Sequence, residues 1–114
     1  EPWGGRGAVT PRARAVALGE AVELRVGLQS QAGSAQPLVI DYAVHHVKAD
    51  GRTSPKVFKG WTLTLAPGEA RVLVRRHALR AISTRRHHPG WHRVTLQVNG
   101  QTLAEAGFEL LTGG

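Results

Sequence analysis

The sequence predicts an all-β fold: an antiparallel β-sandwich of immunoglobulin or fibronectin type III kind, with about seven short strands. Three observations predict it. Apolar residues recur with a period of two, not 3.6. Turn signals separate these runs at short intervals. No stretch carries a convincing amphipathic helix; Ala78 to Thr84 could make a helical turn at most.

The first element is expected over Glu20 to Gln29, where Val22, Leu24, Val26 and Leu28 share one face and Glu23, Arg25 and Gln29 the other. The second runs from Leu38 to Val47, with Leu38, Ile40, Tyr42 and Val44 on one side. Pro37 marks its start, and Asp50-Gly51 a turn beyond its end. Lys56 to Leu65 reads as one or two strands broken near Gly60. Pro67-Gly68 then suits a type II turn, because glycine accepts the positive φ at its third position. Ala70 to His77 is a strand whose alternation is blurred by Arg71. Trp91 to Val98 alternates cleanly, with Val94, Leu96 and Val98 inward. Asn99-Gly100 is the strongest hairpin signal in the chain. The returning strand, Thr102 to Leu111, places Ala104, Ala106, Phe108 and Leu110 inward.

Length and composition agree. A chain of 114 residues makes one domain and can bury roughly two-thirds of its unfolded surface. Aromatics are 5% of the sequence, so the core is aliphatic. The expected organisation is an edge or linker segment over 1–11, the sandwich over 12–111 and a tail over 112–114. The start Glu1-Pro2-Trp3 and the absence of methionine are expected of a processed chain or a piece of a longer one. No signal-peptide-like apolar stretch is visible at the start, and no apolar run is long enough for a membrane helix. Without cysteine there is no disulfide, thiolate nucleophile or zinc ribbon.

Charge carries the functional signal. Lys and Arg number 15 against 8 acids, a net charge of +7, and Arg bridges phosphates with a planar fork. A polyanion is the leading class of partner. From Arg71 to Arg93 there are seven Arg, four His and no acid. The centre of that stretch is Thr84-Arg85-Arg86-His87-His88-Pro89-Gly90-Trp91-His92-Arg93. A second group runs from Lys48 through Arg52, Ser54 and Lys56 to Lys59. It combines cations with hydroxyls and loop N–H groups, the usual donors to phosphate oxygens. Whether the two groups share a surface is open at this level. Trp61 and Trp91 could stack on a base or sugar, but Trp91 reads first as core.

Catalysis finds no support. Ser54 and Ser83 sit in no nucleophile elbow, and no spacing pairs Asp41, Asp50, Glu69, Glu105 or Glu109 for glycoside chemistry. His45 and His46 point to opposite faces of one strand and cannot share an ion. His87, His88 and His92 have no nearby carboxylate to orient them as zinc ligands. No metal or other cofactor is expected.

The stretch DYAVHHVKADGRTSPKVFK, from Asp41 to Lys59, resembles the C-terminal domain of bacterial DNA alkylation repair proteins. These are the alkylpurine DNA glycosylases of the AlkC type, built on HEAT-like repeats. The pieces Leu65 to Glu69, Arg76-His77, Thr84 to Arg86, Pro89-Gly90, His92 to Val94 and Leu96 to Gly100 resemble the same family, over roughly 12–111. The resemblance implies a non-catalytic immunoglobulin-like module appended to a helical-repeat domain that holds the chemistry. It implies duplex DNA and that N-terminal repeat domain as partners, a monomer, no membrane, and a bacterial cytoplasm. The family's catalytic carboxylate has no counterpart here. The positions carried over are Lys48, Arg52, Ser54, Lys56, Lys59, Arg85 and Arg86. His87 and His88 stand where the family often has aromatics, and they join the expected DNA-binding set. The competing expectation is a module that braces the parent's helical domain; an adhesion or sugar-binding sandwich is disfavoured by the few aromatics.

Overall fold

The computed structural model describes residues 3–79 and 88–111. Their elements are all strands: β1 (Arg6–Pro11), β2 (Ala15–Ala17), β3 (Ala21–Gln29), β4 (Gln36–Val47), β5 (Thr53–Leu65), β6 (Ala70–Ala78), β7 (Gly90–Val98) and β8 (Gln101–Leu111). Two sheets face each other, a small one ordered β1-β3-β6 and a large one ordered β2-β8-β7-β4-β5. The expected sandwich is the observed one.

The core forms where the apolar faces meet. Val22, Leu24, Val26 and Leu28 of β3 oppose Leu38, Ile40 and Val44 of β4, Val94, Leu96 and Val98 of β7, and Phe108 and Leu110 of β8. Each of these is almost completely buried. Alternation dictates this, since residues two apart on a strand share a face.

The segment expected to be a linker over 1–11 is, from Arg6 to Pro11, strand β1. It pairs antiparallel with β3, Val9 opposite Val26, and Trp3 is buried ahead of it. The chain then changes sheets. Pro11 has no N–H to donate, and after three intervening residues Ala15–Ala17 pair parallel with the end of β8. One chain segment thus seals both sheets along one side.

Gly60 does not break β5; it is a bulge. Trp61 faces Ile40 and Lys59 faces Asp41, so Gly60 is the extra residue. A Cβ at Gly60 would lie 2.6 Å from the Ile40 carbonyl oxygen, which is why the bulge takes glycine. β4 and β5 consequently run on as a hairpin of 12 and 13 residues. At roughly 3.3 Å per residue it spans most of the long axis of a 52 × 22 × 20 Å molecule.

β6 has its cations inside. Register puts Arg71 opposite Leu28, Arg75 opposite Leu24 and His77 opposite Val22, so these three share the core-facing side with Leu73. Val72 and Val74 face solvent. The blurred alternation at Arg71 has this physical origin. Arg75 crosses between the sheets: its guanidinium donates to the Lys59 carbonyl (3.2 Å) and the Gly60 carbonyl (3.0 Å). It also lies 4.7 Å over the Trp61 ring. His77 Nδ1 meets the Tyr42 hydroxyl at 3.0 Å, and Phe58 packs against both rings. Burial raises the Tyr42 pKa, opposed by the charge of Arg75.

The turns follow their sequences. Asn99 has φ 49° and Gly100 φ 83°, and Val98 pairs with Gln101 as a two-residue hairpin requires. Gly68 has φ 70°, and the Glu69 carboxylate reaches back to accept the Ala66 N–H at 2.8 Å.

That turn makes stability depend on acid. The Ala66 N–H, and then Arg71, hold the Glu69 carboxyl below its ordinary value. Arg52 does the same for Asp50. Both carboxyls bind protons less readily in the folded chain than in the unfolded one. Their contribution is present above the ordinary carboxylate range and fades as pH falls through the lowered values. The melting temperature is expected to decline progressively below about pH 4.5. Glu69→Gln and Asp50→Asn should each flatten part of that decline in a thermal melt series; a melting temperature level from pH 5 to pH 2 would contradict this.

Candidate nucleic-acid interface

The far end of the β4–β5 hairpin closes through a tight turn. Lys48 N–H donates to the Arg52 carbonyl at 2.7 Å, and Gly51 takes φ 86°. Strand alternation places His46 and its cross-strand neighbour Ser54 on the core-facing side, with Lys56 beside them. The small sheet does not reach this far, so Lys56 meets solvent and Ser54 lies half-buried, while the His46 ring nitrogens are buried beside His92. His88, on the segment leading into β7, approaches from the other side. An open depression of about 360 Å³ results, lined by His46, Val47, Lys48, Ser54, Lys56 and His88 among others, with no acidic side chain among the described residues of its wall.

The depression joins members of both basic groups that the sequence left separate. Two ammonium groups, a hydroxyl and two imidazoles surround one space. Lysine presents a compact charge on a flexible stem, and a hydroxyl donates or accepts. The arrangement is chemically suited to the oxygens of a phosphate. The Lys56 ammonium also stands 5.4 Å over the Phe58 ring, which braces its stem.

Other candidates lie elsewhere. Arg52 folds back on Asp50, its Nε 2.7 Å from the carboxylate, so much of its charge is met locally. Lys59 is three residues from Lys56 on an unbroken stretch of strand and therefore faces the opposite side, beside Asp41. That parity was visible in the sequence. Arg85, Arg86 and His87 lie outside the described residues.

Trp91 is not core. It is 55% exposed on the outer face of the large sheet, because the inward positions of β7 are His92, Val94, Leu96 and Val98. His92 is the buried residue at this end, stacked on Phe108 with ring centres 5.4 Å apart. Its Nδ1 lies 3.1 Å from the Gly90 carbonyl oxygen, and His46 meets it edge-on at 5.8 Å. His45 faces the other way, near Arg93. Its pKa is lowered by burial first and by Arg93 second. Among the described residues no three His, Cys, Asp or Glu side chains cluster as metal ligands would. Nor is any helix among them long and apolar enough to cross a membrane.

Comparison with known proteins gives this surface a context. The chain is 37% identical to an alkylpurine DNA glycosylase AlkC from Pseudomonas fluorescens, whose structure was solved bound to DNA containing an abasic site analog. The match covers 97% of this chain and 31% of that one, with a TM-score of 0.91. It is 26% identical over 102 residues to the uncharacterized protein YhaZ of Bacillus subtilis, covering 90% of this chain and 28% of that protein. A β-glucosidase from Listeria innocua shares the fold at a TM-score of 0.72 and 17% identity, over 96% of this chain and 16% of that one. The chain thus spans under a third of the length of the relatives it matches. The profile described as "Uncharacterised protein YhaZ, C-terminal Ig-like domain" matches residues 7–112. With that match across nearly the whole sandwich, the chain belongs to the family of YhaZ C-terminal Ig-like domains.

Proposed function

We propose that this domain is a non-catalytic accessory module of a DNA alkylation repair protein, one that grips the duplex backbone electrostatically. Base-excision chemistry then belongs to the helical-repeat part of the parent chain. The observation that carries the reading is the convergence of Lys48, Ser54 and Lys56 with His88 in one depression that has no acid among its described lining residues. The net charge of +7 and the similarity to a glycosylase solved on DNA support it. Arg85, Arg86 and His87 precede His88 in the chain and extend the proposed footprint; Arg52 adds to it when its pair with Asp50 opens.

The grip is independent of sequence because it engages phosphates. Alone, such a module binds in the nonspecific range of about 10⁻⁴–10⁻⁶ M. Its value comes from tethering, which raises the effective concentration of DNA at the repeat domain.

The test is titration of the chain against a fluorescent duplex at several salt concentrations. Binding should weaken with salt at a log–log slope of roughly −3 to −4.5, for about three to five phosphate contacts. Lys48→Ala with Lys56→Ala should reduce the magnitude of that slope by about 1 to 2.

A second reading has its own observation. The outer face of the small sheet exposes Val72 and Val74 beside Ala8 and Gly27, a surface on which a helical domain could pack. Absence of a DNA shift even at low salt would overturn the grip and favour this bracing role.

A further inference from the structure

The outer face of the large sheet carries a feature that phosphate binding does not use. Trp91 is the one large aromatic exposed among the described residues; Trp3 is buried and Trp61 is covered by Arg75. Its ring is seated across β8 at Gly107. A Cβ there would fall 2.5 Å from two ring carbons and 2.7 Å from the indole nitrogen. Gly107 does not have a positive φ, so it is the ring, and not the backbone, that needs glycine. One face of the indole therefore lies against the sheet and the other faces water.

We infer that Trp91 is a stacking platform for an unpaired nucleobase of bound DNA, next to the phosphate held in the depression; this deepens the DNA reading above and rests on it. Two observations choose the ligand. The first is continuity. Gly90 packs toward Val47, where an added Cβ would be 3.4 Å from a methyl. Val47 and His88 both line the depression. Two residues separate His88 from Trp91, so the three Cα–Cα steps between them reach at most about 10 Å. The second is charge. Glu105 is paired with Arg93 at 3.1 Å, and Glu109 is the cross-strand neighbour of Trp91. This rim, one cation against two carboxylates, offers a phosphate nothing, whereas the π-face accepts any base. A base inside an intact duplex has both faces covered by its neighbours, so the platform takes one at a gap or a single-stranded stretch.

The experiment uses the chain, a duplex, and the same duplex with a one-nucleotide gap, each at three salt concentrations. Trp91→Ala should weaken binding to the gapped DNA about tenfold and leave the intact duplex unaffected. Because no charge is lost, its salt slope should equal that of the parent chain. Trp91→Phe should retain most of the affinity. In the unsubstituted chain, gapped DNA should shield tryptophan emission from acrylamide, since the other two indoles are already covered. Equal binding of Trp91→Ala and the parent chain to gapped DNA, with Lys48→Ala/Lys56→Ala still lowering the slope, would overturn the platform and leave the grip. Loss of Trp91 that weakens both DNAs equally also overturns it. If neither DNA binds at low salt, the grip fails and the platform with it.

Discussion

Replacing Arg75 by methionine is expected to lower the melting temperature by about 10 °C, from a loss of about 2 kcal/mol. Methionine keeps most of the stem but removes every donor. The Lys59 and Gly60 carbonyls then lose the guanidinium that joins β6 to β5, and the Trp61 face loses its cation. Both carbonyls sit at the bulge around Gly60, on the edge strand of the large sheet. Gly60→Ala should therefore attack the same structure from the other side, forcing its Cβ against the Ile40 carbonyl. The two substitutions share a partner, so their effects should not add; a double-mutant cycle should give a coupling of at least about 0.5 kcal/mol. Strict additivity would mean that Arg75 and the bulge are independent.

Phe108→Ala should be more damaging still, at about 3–5 kcal/mol. Phe108 is fully buried, and its ring stacks on that of His92. Removing it leaves a cavity beside a buried polar ring, which the surrounding strands cannot close without shifting β7 against β8. For a domain whose whole stability is of order 5–15 kcal/mol, the variant should unfold at much lower urea concentration. Phe108→Leu fills most of the space and should cost far less. A midpoint for Phe108→Ala within about 0.5 M of the parent chain would show that this part of the core repacks freely.

The fold was readable where chemistry is local. Asn99-Gly100 and Pro67-Gly68 fix their turns through backbone angles that few other residues accept. Val22 to Leu28 and Val94 to Val98 alternate without interruption. What escaped reading depends on distant partners. β1 and β2 hold their places by pairing with β3 and β8, and β2 offers only Val16 as a buried side chain. Gly60 resembles a break because a bulge and a turn use the same residue. The inward arginines of β6 make sense only when the carbonyls across the sandwich are known.

The site divides the same way. Lys48, Ser54 and Lys56 sit on one hairpin, whose closure brings them together. His88 joins them through the antiparallel arrangement of β4 and β7, which no short-range signal encodes. Trp91 was misread because a large aromatic is usually a core residue; the corrective signal was Gly107, sixteen positions later in β8.

Arg75 has one further consequence. Sandwiches that live in oxidising surroundings often fasten their two sheets with a covalent bridge of sulfurs. Here the fastener is a cation shared between two carbonyls and an indole, in a chain with no sulfur at all. No disulfide, thiol or thioether is present to be reduced, oxidised or shuffled. Its refolding should follow the same course with or without thiols in solution.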